Sequence, residues 1–306
     1  MPRISLSLGP LLFHWPAGMQ RDFYARIADE APVDVVYLGE IVCSKRLPFV
    51  RDVIEEIAER LRRGGKQVVL STLALITLAR ERKDSAALVH EAVCDVEIND
   101  IAALRYLAEG QPFHVGPLVN VYNEGTLDAL AARGARSFCL PPELAIDAVT
   151  VLAERARHLD VGCEIWGFGR IPLAISARCY HARAEGTAKD QCQFVCARDL
   201  DGRPVRTADG RDFLAINGVQ TLSHTYCNLV IDLEALTRAR VTSLRLSPHD
   251  CDMVLIAKAF RDRLDRRTDP QTAWSQIEAA AGGVTFSNGF LFGDAGYKFV
   301  GAEGRP

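Results

Sequence analysis

Short runs rich in β-branched and other apolar residues recur along the chain at residues 4–8, 33–38, 67–71, 96–98, 115–121, 137–140, 163–166 and 243–246. Runs of this length, bounded by turn-forming residues, read as strands. Between the second and third, Val50, Val53, Ile54, Ile57, Ala58 and Leu61 recur at spacings of three and four, and Gly64 stands where a left-handed cap would close a helix. Weaker helical spacing follows most other runs, over residues 101–108, 126–132, 143–158 and 252–263. Eight strand–helix units of about 25–35 residues predict an α/β fold, a TIM-like (β/α) barrel, with a doubly wound sheet as the other arrangement the pattern allows.

The period breaks once. About seventy residues, 170–240, separate the seventh strand from the eighth, and a connection that long is usually functional. It holds the polar stretches AEGTAKD and DLDGRPVRTADGRD, an Asp201–Gly202 pair and a short apolar run at 213–216, which predict an insertion with one or two β-hairpins. The expected organisation is a single barrel-like domain over residues 1–306 carrying this insertion.

Composition narrows the function classes. The 306 residues are 48% hydrophobic and 25% charged, with a net charge of -3 and a pI near 6.2. Acidic and basic residues are mixed throughout, which leaves no electrostatic footprint for nucleic acid or an anionic membrane. No stretch approaches the roughly 18 apolar residues of a transmembrane segment. The N-terminal MPRISLSLGPLLFHWP makes a poor secretion signal, so the expected compartment is the cytoplasm.

Nine cysteines are many for a reducing compartment, and an odd number fits a complete disulfide framework badly. Cys179, Cys192 and Cys196 fall in the insertion as C-x12-C-x3-C. A lone Cys is most often a small buried hydrophobe, yet three in one polar loop fit that role poorly, and thiolates select zinc or iron–sulfur clusters. Cys43 is the best fourth ligand, because it lies a few residues past the second strand and in a closed barrel that end opens onto the same mouth as the insertion. Cys94, Cys139 and Cys163 sit within apolar patterns and read as core, while Cys227 and Cys251 fit either role. Spacing leaves zinc and iron–sulfur nearly balanced.

The segments VYLGEIVCSKR (36–46), PLAISARCYHARAEGTAKDQC (172–192), RDFLAINGVQTLS (211–223) and LRLSP (244–248) resemble the UbiU/UbiV family of ubiquinone-biosynthesis proteins, within the collagenase-like peptidase superfamily. The resemblance runs over nearly the whole chain. It implies one 4Fe–4S cluster on Cys43, Cys179, Cys192 and Cys196, and a heterodimer with a UbiU-like protein. It also implies a part in oxygen-independent hydroxylation of the ubiquinone ring, with a prenylated aromatic precursor as the small-molecule partner. The superfamily's usual signature keeps its Glu at Glu164 and a Cys at Cys179, but its His position is Phe168 and its first Cys position is Pro172. Those departures count against peptidase activity, as does the lack of HExxH and GxSxG motifs. No catalytic residue is assigned. A zinc-dependent or peptidase-family hydrolase and a non-catalytic iron–sulfur scaffold stand as the alternatives. Few apolar residues lie between His181 and Asp212, so the order of this loop is expected to depend on the bound metal.

Overall fold

The computed structural model describes residues 3–301. Its strands are β1 (Ser5–Leu8), β2 (Val35–Leu38), β3 (Gln67–Ser71), β4 (Asp95–Ile98), β5 (Phe113–Val115), β6 (Ala135–Cys139) and β7 (Gly162–Ile175). They continue with β8 (Arg203–Arg206), β9 (Asp212–Asn217), β10 (Gln220–Asn228), β11 (Ser243–Leu246) and β12 (Phe286–Ser287). From β1 to β7 each strand pairs in parallel with the next, and β11 pairs in parallel with both β7 and β1. The ring therefore closes on eight parallel strands, the TIM-like barrel expected from the repeating apolar runs.

Helices α1 (Ala17–Glu30), α2 (Leu47–Arg63), α3 (Ala79–Glu91), α4 (Glu124–Ala131), α5 (Ile146–His158), α8 (Met253–Leu264) and α9 (Pro270–Ala280) follow barrel strands, while α6 (Tyr180–Ala184) and α7 (Leu233–Arg238) belong to the insertion. In α2 the stripe of Val53, Ile57 and Leu61 is buried, worth about 1.5–3 kcal/mol per side chain, and Pro48 sits in the first turn, where a missing N–H costs nothing. The left-handed residue that ends the helix is Gly65 (φ +76°), one place after the expected Gly64. Gly64 serves a different need. A Cβ there would lie 2.5 Å from the Ala28 carbonyl oxygen, so the glycine lets α2 close on α1.

Three other expectations are corrected. The fifth strand ends at Val115, because Gly116 leads into Pro117, which has no N–H for the ladder, and the chain turns into a 3-10 turn over Pro117–Val119. Residues 101–108 form a 3-10 turn, Ile101–Tyr106, capped by the Asp100 carboxylate, which accepts from the Ala102 N–H. The Asp201–Gly202 pair leads into β8, and the hairpin turns fall at Asp209–Gly210 and Gly218–Val219 instead. β7 outruns the barrel, and its far half pairs antiparallel with β10, which carries β9 and β8 in turn.

The barrel interior is polar. Ser7, Tyr37, Ser71, Glu97, Glu164 and Arg245 are all buried and meet across it, while their neighbours Leu6, Leu8, Val36, Val96, Ile98, Leu244 and Leu246 belong to the apolar core. Arg245 Nη1 forms an ion pair with Glu97 at 2.6 Å, its Nε donates to Glu164 at 2.7 Å, and its guanidinium stands 3.9 Å from the centre of the Tyr37 ring. Burial alone would favour losing the proton of Arg245, but the surrounding anionic groups push its pKa further up.

The insertion has anchors of its own. Asp201 accepts from His249 Nδ1, from Tyr226 Oη at 2.6 Å and from Arg170 Nη2 at 3.0 Å. Burial alone would raise the Asp201 pKa, but His249 and Arg170 outweigh it and hold the carboxyl at about 2. A depressed carboxyl contributes stability that is present above its ordinary value of 3.8 and is lost as the pH falls through about 2. Asp201→Ala is therefore expected to cost about 2–3 kcal/mol at neutral pH. It should also speed proteolytic nicking within residues 176–212. Urea unfolding with the same midpoint as the parent would contradict this. Such anchors temper the expectation that this loop owes its order to metal alone.

Candidate metal centre

Cys43 lies in the turn after β2, and Cys179 in the turn after β7, so both leave the same end of the barrel. Cys192 and Cys196 follow α6 in the insertion. All four thiols are free and buried, with 6–8% of each residue exposed.

The turn that carries Cys43 is built by buried charge. Glu40 Oε1 accepts from the N–H groups of Val42 and Cys43, each at 2.8 Å. Ser44 Oγ donates to Glu81 Oε1 at 2.6 Å, while Glu81 Oε2 accepts from the N–H groups of Thr77 and Leu78 at the start of α3. Burial would raise the Glu81 pKa, but these donors outweigh it and hold it at about 2. The Cys43 turn is thereby clamped to the neighbouring strand–helix unit.

Two cationic side chains join this turn to the insertion. Lys45 Nζ donates to the carbonyls of Lys189 at 2.9 Å and Asp190 at 3.1 Å, just before Cys192. Arg46, 1% exposed, donates to the Leu12 carbonyl at 2.9 Å and to Asn217 Oδ1 at 2.8 Å. Next to Asn217, the Gly218 carbonyl accepts from the Tyr180 N–H at 2.8 Å, which fixes the residue after Cys179. The Cys179 Sγ itself accepts from the Ala182 N–H at 3.5 Å. Burial pushes the thiols of Cys43 and Cys196 up, and Arg46 opposes that rise at both. Cys196 also interacts electrostatically with Cys179.

Between Cys192 and Cys196 the chain passes through two consecutive left-handed residues, Gln193 (φ +46°) and Phe194 (φ +53°). Each costs on the order of 1 kcal/mol or more for a non-glycine residue. Ring packing offsets part of this: Phe194 lies 4.9 Å from Phe49 and 5.6 Å from His14, between centroids, and Lys45 Nζ stands 5.8 Å from its centre. These rings cover the loop. His14 is held neutral, its pKa lowered to about 4 by burial and by Arg46.

The remaining thiols behave as packing groups. Cys139, Cys163 and Cys227 are buried, and burial raises each pKa, that of Cys163 to about 12. Cys94 and Cys251 are half-buried. Two of the buried histidines near the mouth, His181 and His249, use both ring nitrogens structurally. His181 Nδ1 accepts from the Gly218 N–H and Nε2 donates to Asp199 at 2.9 Å, while His249 Nε2 accepts from the Arg170 N–H and Nδ1 faces Asp201. Asn123 caps α4 by accepting from the Thr126 N–H at 2.9 Å, and Asn120 takes the left-handed position of a turn, so both serve the backbone.

Among the described residues no three His, Cys, Asp or Glu side chains stand together as they would around one metal ion. A single ion needs its donors about 2.0–2.3 Å from one point. A cubane cluster offers its iron atoms at separate corners, so its ligands need not share a point. The donor chemistry, four buried thiols with the buried Arg46 acting on two of them, Cys43 and Cys196, fits such a group. Arg46, Glu40, Glu81 and Phe194 escape a reading by cysteine spacing, although Glu40 and Arg46 flank Cys43 closely enough for their charge to be a signal.

Residues 22–300 match the model of Peptidase family U32. Among solved structures, a phospho-2-dehydro-3-deoxyheptonate aldolase from Thermotoga maritima is similar at 10% identity over 93% of this chain and 72% of its own, with a TM-score of 0.42. A truncated form of that enzyme matches at 13% identity over 93% and 89% with a TM-score of 0.35, and the octameric ribulose-1,5-bisphosphate carboxylase/oxygenase from Pyrococcus horikoshii OT3 at 13% over 91% and 62% with 0.38. At such scores these likenesses carry no argument about this chain, and the barrel rests on its own strand pairing. Among the described residues no helix is long and apolar enough to cross a membrane.

Proposed function

We propose that this chain, which belongs to peptidase family U32, is an iron–sulfur protein that holds one 4Fe–4S cluster on Cys43, Cys179, Cys192 and Cys196. Its task in this reading is oxygen-independent hydroxylation of the ubiquinone ring precursor, as the UbiV-like member of a heterodimer with a UbiU-like protein. The observation that carries the reading is the joining of the two cysteine-bearing loops by Lys45 and Arg46, so that four buried free thiols share one end of the barrel. The sequence resemblance supplies the reaction and the partner.

When bound, the cluster supplies one-electron chemistry. The chain's own part is to hold the thiolates, to exclude water with the Phe49, His14 and Phe194 rings, and to balance charge with Arg46. Phe49 and Tyr180, beside the cysteine loops, are exposed apolar surface that a partner docked over this end would cover. The second reading, a peptidase-family hydrolase, has the family description in its favour. Against it, His181 and His249 have no ring nitrogen free to act as a general base.

Anaerobic purification, alone and with the UbiU homologue co-expressed, tests the proposal. A brown protein with about four iron and four sulfide per chain is expected. A colourless protein carrying zinc, or one with neither iron nor sulfide, would sink it.

A further inference from the structure

Arg46 is a costly residue. Its guanidinium is 1% exposed, and burying a cation without full pairing costs several kcal/mol. Nη1 and Nη2 are spent on the Leu12 carbonyl and Asn217 Oδ1, but the buried Nε–H has no hydrogen-bond partner among the described residues. An orphaned buried donor is itself a penalty, and it points to an acceptor that the protein's nitrogens and oxygens do not supply, with the Cys196 thiol beside the guanidinium.

The surroundings say where that group would be. The Arg46 N–H donates to the Cys43 carbonyl at 2.9 Å, closing the turn that carries the first cysteine. Its Nη2 holds Asn217, whose neighbour Gly218 fixes the residue after Cys179. Gly218 is in the left-handed conformation (φ +63°), and a Cβ there would lie 2.8 Å from Nη2. The chain thus gives up a side chain at 218 to let the guanidinium in. Glu40 and the thiols of Cys196 and Cys43 are the groups that act on Arg46 most strongly, each favouring its charged form. Anionic sulfurs beside this turn would add to the Glu40 carboxylate, and Arg46 is the buried cation placed to offset them.

We infer that Arg46 is a positioning residue for the cluster: its charge offsets the thiolates and its Nε–H donates to a cluster or cysteine sulfur, favouring the reduced state. This rests on the iron–sulfur reading above. A cation and a donor beside the sulfurs stabilise the added electron and so raise the reduction potential. Arg46→Met keeps bulk and removes both. Arg46→Lys keeps the charge but not the planar fork.

The test is anaerobic redox titration of the reconstituted full chain, followed by visible absorption and by electron paramagnetic resonance of the reduced state, with iron content and circular dichroism measured on each sample. In Arg46→Met the reduced state should be disfavoured at least tenfold, a fall of about 59 mV for one electron, with a changed resonance line shape. Arg46→Lys should fall by less. If Arg46→Met does not fold or load, the lysine variant decides, since loss of the Nε–H alone should still lower the potential. Loaded variants with the parent's potential and line shape would overturn the inference and leave the cluster reading standing. Parent protein without iron would remove both, and the iron assay tells the two failures apart.

Discussion

Single alanine replacements at Cys43, Cys179, Cys192 and Cys196 are expected to cut iron from about four per chain to below one, with loss of the visible absorption. The effect should be that large because in the proposed cluster each thiolate would hold one corner of the cubane. His181, the buried histidine in the Cys179 loop, has both ring nitrogens engaged, so it does not readily replace a lost sulfur. Controls come from the packing cysteines. Cys139→Ala and Cys163→Ala, both at 1% exposure, should cost stability through lost burial while keeping the full iron content. Metal analysis on the six variants separates the roles. Full iron in Cys192→Ala, or lost iron in folded Cys163→Ala, would mean that the ligand set is wrong. Removing iron from the parent should loosen the segment around Cys192 and Cys196 more than the hairpins, because Asp201 still ties the latter to Arg170, Tyr226 and His249.

The barrel was legible because each strand buries an apolar face, and eight such faces recur between helical patterns. Where the reading missed, a local signal was overridden or misweighed. The run at 115–121 looks like a strand until Pro117 is given its due. The residues 163–166 give no hint that β7 continues to Ile175, because its far half is paired by β10, more than forty residues later in the chain. The polar interior was written in plain alternation, as in Ser5-Leu6-Ser7-Leu8, Asp95-Val96-Glu97-Ile98 and Ser243-Leu244-Arg245-Leu246. Its meaning depends on which charges face one another, and Glu97, Glu164 and Arg245 come from three strands far apart in the chain. The cysteine site divides the same way. Thiols in a polar loop announce themselves by residue type, whereas Arg46 and Phe194 acquire a role only once Leu12, Asn217, His14 and Phe49 are folded beside them.

That interior triad carries the largest stability effect expected here. Arg245 stands between Glu97 and Glu164, each residue 1% exposed or less. Ser71 and Asn99 also donate to Glu97, at 2.7 and 2.9 Å, and Ser7 donates to Glu164 at 2.6 Å. Desolvating three charges is repaid only while all three remain together. Arg245→Met removes the cation and leaves two carboxylates in a closed barrel, at a cost of about 3–5 kcal/mol. For a domain of this size the melting temperature should drop on the order of 10 °C. The loss should also depend on pH in a defined direction. Without the arginine, burial and mutual repulsion lift the folded-state carboxyl pKa above that of the unfolded chain, so the penalty is full at neutral pH and shrinks as the pH falls toward about 4. Adding Glu97→Gln and Glu164→Gln to Arg245→Met removes the unpaired charges, and the triple variant should regain most of the lost stability at neutral pH. Thermal unfolding of the single and triple variants between about pH 5 and pH 8 measures both effects. A single variant as stable as the parent, or a triple variant no better than the single, would mean that the buried charges do not hold the barrel together.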